Sequence, residues 1–333
     1  MKKRVLGRSG IEVSAIGMGC WAIGGPWNFL GNPAGWSQVD NAESIRAIHM
    51  ALEKGVNFFD TAANYGCGHS ERILGKALVG KRDQAVIATK FGYQVDESHK
   101  SVSAYGDEET GPVAEHIREN LHASLSRLGM DYVDVYQLHI WGYDLDRALE
   151  VRQVLEDLVS EGLVRCYGWS TDRPEAVALF AEGEHCSVVQ QQLNIFDGVT
   201  EILDQCEQYD LASINRGPLG MGVLTGKFTA LSTFPQDDVR RHAAWFPGLV
   251  DGSPNPAWLS AIEAIRDILA SGGRTLAQGA LAWILARSGR TVPIPGFKTA
   301  VQVAENAGVL QYGPLTGEEM EQIEELLADA GIS

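Results

Sequence analysis

Two hydrophobic rhythms alternate along the chain. Short, mainly apolar runs occur at residues 13–18, 56–60, 85–90, 132–139, 163–170, 187–193, 211–215 and 291–295. Between them lie longer stretches in which apolar residues recur every three or four positions. Examples are Ile45, Ile48 and Leu52, stopped by Gly55; Ile117, Leu121, Leu125 and Leu128; and Ala148, Val151, Leu155 and Leu158, stopped by Gly162. The first rhythm predicts strands buried on both faces, the second amphipathic helices. Capping signals mark several helix starts: Asp172 ahead of Pro174, Thr275 with Gln278, and Thr316 with Glu319. Strand–helix alternation means a parallel sheet covered by helices. Eight such units favour a closed (β/α)8 barrel, a TIM barrel, over an open sheet. The whole of residues 1–333 is expected to form that one domain. Turn residues Gly7 and Ser9-Gly10 suggest an N-terminal hairpin, and extra helices close the C-terminal end.

Two segments break the rhythm. Residues 19–40 are rich in Gly, Pro and aromatics, and no helix is expected there. Residues 216–257 carry five prolines and several aromatics. A loop that long inside a compact fold is usually a lid or binding loop.

Composition narrows the function. The net charge of −16 makes the chain a poor partner for nucleic acid or an anionic membrane surface. No apolar run is long enough to span a membrane, and the start MKKRVLGRSG has no signal-peptide core. The five cysteines are scattered and odd in number, which fits reduced, structural thiols and a cytoplasmic location. The sequence carries no signal for an oligomeric state.

In a barrel all strands open at their C-terminal ends onto one face. Asp60, Lys90 and His139 each end an apolar run, and Tyr65 lies a short loop beyond Asp60. Singly, each has a bland reading as a cap, a solvated cation, a structural histidine or a packed ring. Together they suggest proton donation. A cation beside a tyrosine stabilises its phenolate and lowers its pKa, and a carboxylate holds that cation in place. Tyr65 would protonate an oxygen gaining negative charge, Lys90 and Asp60 would tune it, and His139 would be a second donor.

These residues carry a resemblance. The segments Gly55-Val-Asn-Phe-Phe-Asp60-Thr61, Tyr65-Gly66, Gly68-His69-Ser70-Glu71, Ala88-Thr89-Lys90 and Tyr136-Gln-Leu-His139 resemble the aldo-keto reductases, and the likeness runs nearly the whole chain. The resemblance implies a (β/α)8 barrel binding NADP(H) across its C-terminal face, reducing aldehydes and ketones or oxidising alcohols. Its catalytic tetrad would fall on Asp60, Tyr65, Lys90 and His139. It places the nicotinamide carboxamide at Ser170 and Gln190, and the ring and pyrophosphate along Asn215, Arg216, Pro218, Leu219 and Gly220. Gly222 and Lys227 would continue the pyrophosphate loop. Gly296, Lys298, Glu305 and Asn306 would hold the adenosine. There are departures: Arg216 stands where many members stack an aromatic, and Gln302 where an arginine often clamps the 2′-phosphate. Lys298 then remains as cation, NADP is the preferred cofactor and NAD the second candidate.

Trp21, Trp27, Trp141 and Trp245 lie on loops at the expected mouth and are assigned to the wall of a substrate pocket for a small carbonyl or alcohol. Gly17-Met-Gly19-Cys-Trp-Ala22 matches a dinucleotide fingerprint but is followed by no helix, so it is set aside. Residues 220–227 lack the Ser/Thr of a phosphate loop, and no metal-ligand spacing is present. The reading is an NADP(H)-dependent oxidoreductase. Its rival is a non-enzymatic, cofactor-binding regulatory subunit on the same fold.

Overall fold

The computed structural model describes residues 3–105 and 113–329. A hairpin of β1 (Lys3–Val5) and β2 (Glu12–Ser14) comes first. Eight strands then pair in parallel: β3 (Met18–Gly19), β4 (Phe58–Asp60), β5 (Val86–Phe91), β6 (Val133–Leu138), β7 (Val164–Ser170), β8 (Cys186–Asn194), β9 (Ala212–Arg216) and β10 (Thr291–Pro293), neighbours in space following the order in sequence. The two edges meet. Gly17 N and Gly19 N donate to Pro293 O and Pro295 O, and Gly19 bridges Gly296 in parallel. The eight-unit barrel expected from the alternation is therefore present. Its first strand is shorter than expected, because Val13 and Ser14 belong to the hairpin and the chain bends before Met18.

Helices α1 (Asn41–Glu53), α2 (His69–Ala77), α3 (Val113–Leu128), α4 (Leu145–Ser160), α5 (Pro174–Ala181), α6 (Glu201–Gln208), α8 (Leu276–Arg287) and α9 (Ala300–Tyr312) cover the barrel, with α7 (Pro256–Leu269) and α10 (Gly317–Asp329) added outside α8. On α3 burial follows the expected stripe of Ile117, Leu121, Leu125 and Leu128. On α1 the buried face is Ser44, Ala47, Ile48 and Ala51, and the expected Ile45 and Leu52 are only half-buried at its margins. The expected caps at Thr275–Gln278 and Thr316–Glu319 form. Asp172 does not cap α5, whose N-cap position is Arg173. Its carboxylate faces the barrel mouth instead and accepts from Gln192 N at 2.6 Å.

The barrel interior explains why the site sits where it does. One apolar cluster joins Phe58, Ala88, Val135, Val188 and Ile214 to Leu6, Ile11 and Val13 of the hairpin, which plugs the N-terminal end. Side chains alternate across a strand. Two residues beyond these core positions therefore come Asp60, Lys90, Gln137, Gln190 and Arg216, a polar layer at the C-terminal end. Loop residues build a roof beside it. Asn28–Phe29 pairs with Asn32–Pro33 on one side and, on the other, with Ser101–Ala104 of a hairpin whose second strand is Tyr93–Asp96. Residues 106–112, just beyond this hairpin, lie outside the described part.

Candidate active site

Lys90 Nζ is the centre of the polar layer. It lies 2.6 Å from Asp60 Oδ1, 2.8 Å from Thr61 O and 3.3 Å from Tyr65 Oη. Asp60 Oδ2 accepts from Gln190 Nε2 at 2.8 Å and from Gln137 Nε2 at 3.3 Å. Asp60, Lys90, Gln137 and Gln190 are all buried. A buried ion pair persists only where its remaining valences are satisfied, and here both carboxylate oxygens and all three ammonium donors have protein partners. Gln137 is a site residue that the motif Tyr136-Gln-Leu-His139 does not single out. Its place, two residues after inward-facing Val135, was the signal that could have found it.

Tyr65 is held from behind by the motif that follows it. Gly66 has φ +63°, and a Cβ there would fall 2.0 Å from Gly24 O. Ser70 Oγ donates to Cys20 O and meets Thr61 Oγ1. Buried Glu71 accepts from Thr89 Oγ1 at 2.6 Å and from Arg127 Nε at 2.6 Å, which fastens the start of α2 to β5 next to Lys90. Trp21 stacks on Tyr65 with centroids 6.2 Å apart, and the His139 ring stands edge-on at 5.7 Å.

Electrostatics differ from the sequence expectation in one respect. Burial lifts the Tyr65 hydroxyl above its ordinary pKa, and Lys90 only partly offsets this. Tyr65 is thus held as the phenol, a proton donor, with the ammonium placed to stabilise the phenolate once the proton leaves. Burial alone would depress the Lys90 amine, but Asp60 and Tyr65 together raise it, so Lys90 stays charged. Burial, then Lys90 and Arg216, push His139 well below the usual histidine range. It is a neutral imidazole, and its buried Nδ1 has no partner among the described residues.

A groove with a cavity volume of about 460 Å³ runs over this layer. Asp60, Tyr65, Trp21 and Gln190 line it, and so do Arg216, Pro218, Leu219, Gly222 and Lys227. Gly296, Lys298, Gln302, Glu305 and Asn306 complete the set expected there. Arg216 is anchored through Gln192 Oε1 at 2.9 Å and the Asp172 carboxylate. Three assigned cofactor residues do not line the groove. Asn215 is fully buried between inward-facing Ile214 and Arg216, and its amide bonds Ser213 Oγ. Ser170 is buried at the end of β7, and Gly220 is buried inside a tight turn at Gly220–Thr225. Of the four assigned pocket tryptophans only Trp21 lines the groove. Trp27 packs beneath the roof with Cys67 and Val102. Trp141 and Trp245 are 53% and 66% exposed, Trp141 held through its Nε1 on Asp172 Oδ2. Trp36 and Arg240 line the groove instead.

The model of the Aldo/keto reductase family matches residues 15–328. The chain belongs to the aldo/keto reductase family. It is accordingly an oxidoreductase. The NADH-specific methylglyoxal reductase of Escherichia coli (strain K12) is 31% identical over 317 residues, covering 93% of this chain and 94% of that protein. The glycerol dehydrogenase AKR11B4 of Gluconobacter oxydans superposes with a TM-score of 0.82 at 30% identity, over 99% and 96% of the two chains. An aldo/keto reductase from Klebsiella pneumoniae in complex with NADP and acetate superposes with a TM-score of 0.69 at 26% identity, over 98% and 95%. Among the described residues no group of three or more His, Cys, Asp or Glu side chains could hold a metal. All five cysteines are buried and unbridged, and no described helix is long and apolar enough to cross a membrane.

Proposed function

We propose that the protein is an NADP(H)-dependent reductase of aldehydes or ketones, running in reverse as an alcohol dehydrogenase. The carrying observation is that one buried ammonium, Lys90 Nζ, contacts both Asp60 and Tyr65 at the floor of an open groove. A pure binding module needs no such proton donor.

The residues lining the groove suit a dinucleotide. Gly19, Gly217, Gly222 and Gly296 leave backbone open to a ligand, Arg216 offers a fixed planar surface, and Lys227, Arg240 and Lys298 supply positive charge in a chain of net −16. When bound, the nicotinamide supplies the hydride. The protein does the rest. Tyr65 gives its proton to the carbonyl oxygen as that oxygen becomes negative. The Lys90 ammonium then stabilises the phenolate left behind, and Asp60, held by Gln137 and Gln190, keeps Lys90 in place. Neutral His139, edge-on to Tyr65, orients the same oxygen. Trp21 gives the substrate a flat apolar wall. NADP is favoured over NAD by the cations, while the NADH-specific relative keeps NAD as second candidate.

Purified protein mixed with NADPH and a panel of aldehydes and ketones should consume NADPH. Tight NADPH binding without turnover on a broad panel would favour the regulatory reading.

A further inference from the structure

Asp60, Tyr65, Lys90 and His139 are not the whole of the buried polar layer. Gln137, on β6, is fully buried in it. The layer beneath is apolar, with Ala88, Val135, Val188 and Ile214. A leucine or methionine at 137 would continue that packing. Burying an amide costs free energy unless its polar atoms are bonded, so a glutamine here needs a physical reason.

The hydrogen bonds supply one. Gln137 Oε1 accepts from Gln190 Nε2 at 3.5 Å, which leaves Gln137 Nε2 to donate to Asp60 Oδ2 at 3.3 Å. Gln190 Nε2 donates to the same oxygen at 2.8 Å. The carboxylate is therefore divided. Its Oδ1 belongs to Lys90, at 2.6 Å, and its Oδ2 to the two amides. Gln190 lines the groove, whereas Gln137 does not.

That division reaches Tyr65 through Lys90. Burial raises the Tyr65 pKa, Lys90 lowers it, and Asp60 raises it again. One ammonium serves both groups, 2.6 Å from Asp60 Oδ1 and 3.3 Å from Tyr65 Oη. Negative charge on Oδ1 offsets the field that the phenolate receives from it. Amide donors on Oδ2 draw carboxylate charge to the oxygen that Lys90 does not hold. In a buried layer of low dielectric that redistribution is weakly screened.

We propose that Gln137 is a positioning residue of the reduction: it holds the second oxygen of Asp60, and so leaves the Lys90 ammonium to stabilise the Tyr65 phenolate as the proton departs. This rests on the proton-donor reading above.

The test compares the wild type with Gln137→Leu and Gln137→Glu. Single-turnover NADPH consumption with one accepted aldehyde is followed from about pH 6 to 9, with the NADPH Kd and the far-UV ellipticity of each protein. Gln137→Leu removes the donor. Its rate should fall by about tenfold at every pH, with Kd within about threefold of the wild type. Gln137→Glu carries the discriminating signature. As a neutral acid its hydroxyl replaces the amide donor to Asp60, and burial beside a second carboxylate raises its pKa toward neutrality or above. Its rate should be within about threefold of the wild type near about pH 6 and drop to the Gln137→Leu level by about pH 9, while the wild type stays flat. A flat Gln137→Glu profile would overturn the proposal, and decides the matter alone should Gln137→Leu not fold. So would Gln137→Leu at the wild-type rate, a loss matched by an equal weakening of NADPH, or a fall with pH that tracks lost ellipticity, since these mark a packing residue. A wild type with no turnover on any carbonyl would overturn the reductase reading itself, and the proposal with it.

Discussion

At Tyr65 two fields oppose each other. Desolvation favours the neutral phenol and Lys90 favours the phenolate, and the balance leaves the proton on. That is the state a reductase needs before the reaction. The sign for pH follows. Tyr65 must be protonated for reduction and its pKa lies above the ordinary value of about 10, so reductive kcat/KM should show no loss between about pH 6 and 9. His139 is held neutral, so no inflection should appear near about pH 6.5, where a free histidine titrates. A reductive limb that falls with an apparent pKa of about 7 would show that Tyr65 is not the acid or is not buried as described. The same histidine affects stability. Its folded pKa is depressed, so only the unfolded chain takes up a proton as pH falls through about 6.5, and the native state loses stability there.

At the scale of elements, strand parity made most of the site legible. Asp60, Lys90 and His139 were visible as polar ends of apolar runs, and the same parity, carried one step further, points Gln137 inward and Asn215 away. Loops have no such period. Nothing in the local sequence distinguishes Trp27, which packs under the roof, from Trp36, which lines the groove. Arg240 sits in an aperiodic stretch whose fold depends on Asp238 and Gly35. The turn after β4 is a case where the physical reason for a residue is plain: Gly66 passes against Gly24 with a left-handed φ that a side chain rarely adopts. Gly66→Ala should destabilise the fold by about 1–3 kcal/mol and displace Tyr65. Denaturant titration and kcat measured together would check this. A stable variant with normal kcat would mean that the close approach does not fix the tyrosine.

Across the whole molecule, the two ends of the barrel are separated in purpose. The hairpin residues Leu6, Ile11 and Val13 share one apolar cluster with the strand interior, and the polar layer begins only at the far end. In this architecture the N-terminal face serves stability and the C-terminal face chemistry. Leu6→Ala, at a fully buried position, should cost about 2–5 kcal/mol and leave kcat/KM at permissive temperature unchanged. A large fall in kcat/KM without loss of stability would contradict that division. The barrel itself was legible from the alternation of runs and stripes. The roof was not, because its short strands lie within segments whose turn residues read as loop.

The central claim is that Tyr65, set against Lys90, is the proton donor of a carbonyl reductase. Its most direct test is NADPH consumption with an aldehyde and ketone panel by wild type and Tyr65→Phe, with the NADPH Kd of each measured in parallel. The wild type should turn over, and Tyr65→Phe should keep its Kd within about threefold while kcat falls by about 10²–10⁴. Turnover by Tyr65→Phe at the wild-type rate would contradict it.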